Sequence, residues 1–166
     1  MHKDSEMTRI IEVRALSQKS KNMEWDATAE ELKDIAARLN VLEVKDLHVQ
    51  LSIEKKNLIK VSGNFTAHVV QSCVVSGEPI EEVVTDSFED FFGEHKRHAV
   101  PIDIDMEAQD VETVENGRID VGELVLQYLV LGLNLYPRKK GVDEVSFLDE
   151  ADKENPFAVL AKLKKQ

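Results

Sequence analysis

Apolar and polar residues alternate along the stretch Leu47 to Ile53: Leu47, Val49, Leu51 and Ile53 are separated by His48, Gln50 and Ser52. A period of two is the pattern of a strand with one buried face. The polar run Glu54-Lys55-Lys56-Asn57 turns the chain, and the alternation resumes at Ile59, Val61, Phe65, Ala67 and Val69. The two runs predict an antiparallel pair with one wet face. Gly63 interrupts the second run, which suggests either a bulge or the close approach of another backbone. That strand runs out at Cys73, and Gly77 and Pro79 mark the next turn. Two patterns then overlap between Ile80 and Phe92. Ile80, Val83, Val84, Phe88, Phe91 and Phe92 keep helical spacing, whereas Ile80, Val84, Phe88 and Phe92 share one face of a strand. The β-branched run Val83-Val84-Thr85 loses side-chain freedom in a helix, so the strand is preferred and the helix stays open.

The flanking pattern supplies helices. Residues 1–8 read as a mobile polar tail, Ile10 to Leu16 as a short strand and Ser17 to Asn22 as a polar connection. Thr28-Ala29-Glu30-Glu31 is a capping box, and Leu32, Ile35, Ala36 and Leu39 follow at helical spacing. This helix is expected to cover one face of the sheet. An acidic loop spans about 93–116, with a short strand near Val111 to Val114 and a turn at Asn116-Gly117. Asp120 caps the next helix, with Glu123 three residues on. Val121, Leu124, Val125, Tyr128, Leu129 and Gly132 form one face, and Leu126, Val130 and Leu133 widen it, so this helix is expected to be buried. After Pro137 comes a linker, 138–154, and then Asn155-Pro156, a strong start signal for a short helix over 155–166.

The fold class that follows is α+β. An antiparallel β-sheet is covered by an N-terminal helix and a buried helix of the C-terminal half, with a short terminal helix. Residues 9–137 form the single domain.

Charge and composition narrow the function. The net charge is −11, which argues against a broad nucleic-acid surface and favours a basic protein partner or simple solubility. No run approaches the ~20 apolar residues that span a bilayer, so no membrane role is expected. The first residues lack an apolar segment behind a basic one, and a lone cysteine forms no internal disulfide, so a cytoplasmic protein is expected.

Candidate chemistry is sparse. Cys73 has His68 five residues before it, but positions an odd number apart on a strand face opposite sides. His95 and His98 stand in a polar stretch without further ligands. The seven glycines form no phosphate-binding loop, and the acidic runs lack calcium-loop spacing. The residues indicate no enzyme, cofactor, metal or small-molecule substrate.

Three pieces together resemble a known family. They are the strand–Cys73–turn–strand unit from Gly63 to Phe92, the stretch from Gly117-Arg118-Ile119-Asp120-Val121-Gly122-Glu123 through Leu131-Gly132-Leu133-Asn134-Leu135-Tyr136-Pro137, and the terminal Asn155-Pro156-Phe157-Ala158-Val159-Leu160-Ala161. Their order resembles the large ribosomal RNA subunit accumulation protein family, known as YceD in bacteria. The resemblance implies a bacterial, non-enzymatic factor for 23S ribosomal RNA accumulation and large ribosomal subunit biogenesis. Its partners would be the preribosomal large subunit, through ribosomal RNA or a basic ribosomal protein. Many relatives carry a second cysteine where this chain has Ser76, and further cysteines where it has Arg138-Lys139-Lys140, so no metal role carries over.

Basic residues gather at Arg138, Lys139 and Lys140 and at Lys162, Lys164 and Lys165. Together with Phe157 and Leu160 of the terminal segment, these are the expected partner or RNA contacts. Two other readings stay open: an acidic protein-binding adaptor that never touches RNA, and a cysteine-dependent enzyme that uses Cys73.

Overall fold

A computed structural model describes residues 6–17, 19–93 and 111–140. Within them the chain is α+β, with two helices and a mostly antiparallel sheet. The elements in order are β1 (Ile10–Glu12), a 3-10 turn (Val13–Ala15), β2 (Lys21–Asp26), α1 (Ala29–Leu39), β3 (Glu43–Lys55), β4 (Ile59–Ser72), β5 (Pro79–Gly93), β6 (Val111–Thr113), β7 (Arg118–Asp120) and α2 (Val121–Gly132). The main sheet runs β2-β3-β4-β5-β6, and β1 pairs with β7 in a separate ribbon. The terminal segment 155–166, most of the expected linker and the centre of the acidic loop lie outside the described residues.

The alternation seen in the sequence sets the two faces of the sheet. Leu47, Val49, Leu51 and Ile53 of β3 lie beside Ile59, Val61, Phe65, Ala67 and Val69 of β4, and all are buried. Val84, Phe88 and Phe92 of β5 continue this face, which settles Ile80 to Phe92 as strand. Helix α1 packs on β3, with Ile35 buried, and α2 packs on β5 with Val125, Leu126 and Leu129 buried. Thr28 and Glu31 complete the α1 capping box. Arg38 ties the two helices together through Glu123 at 2.5 and 2.7 Å. The Asp120 carboxylate caps α2 by accepting from the N–H groups of Gly122 and Glu123.

Gly63 answers one open question. It sits in regular register between Leu51 and Phe88, and a Cβ there would lie 2.7 Å from the Gln50 carbonyl oxygen and 2.8 Å from the Leu51 Cβ. The glycine marks a close approach, while the irregularity in β3 falls between Val44 and Asp46.

Several expectations need correction. The sheet is mixed, because β6 runs parallel to β5 at Phe91–Gly93. The long stretch from residue 94 to 110 permits this, since a parallel neighbour needs a connection of about a dozen residues or more. The polar connection Ser17 to Asn22 ends inside a strand: Met23 and Trp25 alternate with Asn22, Glu24 and Asp26 in β2, which pairs along β3. The strand expected over Ile10 to Leu16 is cut to β1 and pairs with β7, an element the pattern did not signal. The mobile tail 1–8 fails at Met7, which is fully buried. A Cβ at Gly122 would lie 1.8 Å from the Met7 carbonyl oxygen, so the glycine is what lets this segment lie against α2. Finally, α2 is not buried all round, since Val130 and Leu131 face outward.

Candidate partner-docking surface

Of the basic contacts that the sequence marked, Arg138, Lys139 and Lys140 are described, and they lie at one end of the sheet. There the β4–β5 hairpin closes through Cys73 to Glu78. The Cys73 N–H donates to the Glu78 carbonyl at 2.8 Å, the Gly77 N–H donates to the Cys73 carbonyl at 2.9 Å, and Gly77 has φ +74°, a conformation that suits glycine. Helix α2 ends at Gly132 against the same hairpin. A Cβ at Gly132 would lie 2.8 Å from Val84 Cγ1. The chain then runs alongside the hairpin. Gln71 Nε2 donates to the Asn134 carbonyl at 3.1 Å, and the Val74 N–H donates to the Pro137 carbonyl at 2.9 Å. The first residues of the expected linker, Arg138 to Lys140, are therefore held beside Cys73.

Cys73 is the electrostatic centre of this end. The Ser76 side chain, followed by the N–H groups of Ser76, Lys139 and Val75, lowers its thiol to about 6 by donating to the sulfur. The N–H donors stand 3.4 Å (Ser76) and 3.5 Å (Lys139) from Sγ. At neutral pH this favours the thiolate, yet the residue is only 2% exposed. Lys139 Nζ lies 2.8 Å from the Glu78 carboxylate, and the pairing raises the lysine and lowers the glutamate. These residues do not fit a zinc ion: one thiolate faces a serine hydroxyl and an ammonium group. No group of three or more metal-binding side chains forms among the described residues.

Around this centre the surface is apolar. Leu131, Leu135 and Tyr136 are 77%, 78% and 72% exposed, and Val74, Val75 and Val130 are exposed with them. Fully burying one such side chain would contribute roughly 1.5–3 kcal/mol, so leaving several in water is costly unless a partner covers them. Arg138, Lys139 and Lys140 continue directly from Tyr136 and Pro137. The aromatic ring and the cations thus sit together, a combination suited to a stacked base beside a phosphate. Leu131, Leu135, Tyr136 and Val74 are not among the contacts expected from the sequence. The available signal was a helix apolar on every side that ends in Leu-Tyr-Pro before a basic triplet. Phe157, Leu160, Lys162, Lys164 and Lys165 lie outside the described residues.

Elsewhere the chemistry is quiet. His68 Nδ1 lies 2.7 Å from Asp46 on the open face of the sheet, and Cys73 turns away from it at the strand end. His48 contacts Asp26 at 2.8 Å and Glu24 at 3.3 Å; Asp26 chiefly, then Glu24, raises its pKa. A shallow trough of about 870 Å³ crosses the same face, lined by Asn22, Glu24, Gln50, Ser52, Asn64 and Ser87 among others. Its lining contains no cysteine, histidine or lysine. No helix among the described residues is long and apolar enough to cross a membrane.

Against this geometry, a family model described as large ribosomal RNA subunit accumulation protein YceD matches residues 61–164, more than half of the chain. The chain belongs to the YceD family. The family is named for accumulation of large-subunit ribosomal RNA, and the matched region takes in β4 from Val61 on, β5, the Cys73 hairpin, α2 and the basic triplet. No curated protein and no solved structure matches the chain.

Proposed function

We propose that this protein is a non-enzymatic cytoplasmic factor that supports 23S ribosomal RNA accumulation and biogenesis of the large ribosomal subunit. The observation that carries this reading is the family match over residues 61–164, which covers the whole apolar and basic end of the sheet. Its partner is the preribosomal large subunit. Tyr136 offers a face for an unpaired base, and Arg138 and Lys140 stand near phosphates. Lys139 pairs with Glu78, which fixes the segment. Phe157 and Leu160, with Lys162, Lys164 and Lys165, form a second contact that follows from the domain plan: a folded body to Pro137, a linker, and a short terminal docking element.

The test is a complementation assay in a bacterial host lacking the protein, read by sucrose-gradient profiles of ribosomal subunits. The combined Tyr136→Ala and Lys140→Ala variant, checked for unchanged thermal melting, is expected to leave large-subunit precursors unprocessed. A normal profile from that variant contradicts the proposal. The adaptor reading without RNA is favoured by one observation, the −11 net charge. It predicts that purified protein leaves a fragment of 23S ribosomal RNA unshifted at low salt.

A further inference from the structure

Among the described residues, the sheet has one long strand whose outer edge is open. Strand β5 pairs with β4 from Pro79 to Phe92, but with β6 only from Phe91 to Gly93. From Pro79 to Asp90 no described residue pairs with its other side. At about 3.3 Å per residue that is an exposed ladder close to 40 Å long. Such an edge attracts any extended chain unless charge restricts the choice.

Charge restricts it here. On the face that packs on the helices, β5 alternates apolar and acidic residues: Ile80, Glu82, Val84, Asp86, Phe88, Asp90 and Phe92. The registered neighbours of those acids in β4 are core residues, Val69 for Glu82, Phe65 for Asp86 and Val61 for Asp90. Inward-pointing carboxylates on an edge strand repel a second copy of the same strand. On the other face stand Glu81, paired with Lys45, and Glu89, paired with Lys60 at 2.7 Å. Strand β5 itself contains no lysine, arginine or histidine. Val83 between them is exposed and offers an apolar contact.

We infer that the open edge of β5 binds a lysine- or arginine-rich polypeptide segment in extended form, which adds a strand beside Pro79 to Asp90. Main-chain hydrogen bonds hold the added strand, and basic side chains at every fourth position meet Glu82 and Asp86, while Asp90 is already bonded to the Tyr128 hydroxyl. The four-residue spacing of the acids on one face of a strand fixes that register. The edge starts at Pro79, next to the hairpin that holds the Tyr136 segment, and runs away from that end to Asp90; the inference does not require RNA there.

The experiment uses the full chain, with a synthetic extended peptide that has lysine at every fourth position and valine between as the probe. Amide hydrogen exchange, read residue by residue, is expected to slow between Ile80 and Asp90 on adding the peptide. The same peptide with glutamate in place of lysine should not bind. The Glu82→Gln and Asp86→Asn double variant, which leaves the fold unchanged, should weaken binding about tenfold, and added salt should do the same. Protection that appears elsewhere, equal binding of the glutamate peptide, or a double variant that binds as tightly as the parent would each overturn the inference. So would slowing of the same amides by a uridine oligonucleotide with no peptide present, or by raising the protein concentration alone.

Discussion

Strands β4 and β5 are bonded to each other along their whole length, yet they are written differently. The inner face of β4 is apolar from Ile59 to Val69, broken only at Gly63. The inner face of β5 places an acid after every apolar residue. The cause is position. Strand β4 has β3 on one side and β5 on the other, so its inner face is sealed by neighbours. Strand β5 has a side that no described residue pairs with, so the Glu82 and Asp86 carboxylates stay solvated there, and Asp90 is bonded to the Tyr128 hydroxyl instead. Glu82, Asp86 and Asp90 are not among the buried residues, whereas the β4 residues opposite them are. A central strand is thus shaped by the core, and an edge strand by the need to choose its next neighbour.

The strongest way to break the comparison is to enlarge a hole in the central strand. Phe65 is fully buried, and Phe65→Ala should cost about 3–5 kcal/mol, measured as a fall in the urea midpoint. A loss below about 1 kcal/mol would mean that β4 is not the centre of the core.

A smaller effect sharpens the role of β5. Tyr128 of α2 stacks on Phe88 with ring centroids 4.9 Å apart, and its hydroxyl donates to Asp90 at 3.0 Å. Tyr128→Phe keeps the stacking and should cost about 0.5–1.5 kcal/mol. Burial first, then the bond to Asp90, pushes the phenol up to about 12. A raised folded-state pKa means that the stabilisation is complete below the ordinary phenol value of about 10 and fades as pH climbs through 12. The variant should therefore lose the alkaline part of the stability profile between those values. An unchanged alkaline profile would show that the Tyr128 phenol is not raised in the folded protein.

The smallest expected effect on stability is at the edge itself. Glu82→Gln with Asp86→Asn should change the unfolding free energy by no more than about 0.5 kcal/mol. The same variant should self-associate more readily in sedimentation, because the edge loses the repulsion that guards it. Marked destabilisation would mean that these acids hold the fold rather than guard the edge.

How much of this was legible in the sequence depended on period and continuity. The alternation from Leu47 to Val69 announced β3 and β4 because one face is sealed and the other wet. The strand nature of Ile80 to Phe92 was legible from Val83-Val84-Thr85, but its place at the edge was not, since the order of strands is a tertiary fact. Met23 and Trp25 gave too short an alternation to separate β2 from a polar connection. Val130 was read with the buried face of its helix and is exposed, because an apolar helix end reads the same whether a sheet or a partner covers it. The donors around Cys73 come from its own turn, at Val75 and Ser76, and from the distant Lys139, whose approach no local pattern announces.

The most direct measurement places a photo-crosslinking residue at Tyr136 and, in a second strain, at Glu82, with RNA and protein partners both sequenced from cells. The account predicts that the Tyr136 probe captures 23S ribosomal RNA in precursor particles, and that the Glu82 probe captures a lysine- or arginine-rich segment of a protein. Capture of no large-subunit component from Tyr136 would contradict the proposed function. Capture of RNA or of a second copy of this chain from Glu82 would contradict the reading of the β5 edge.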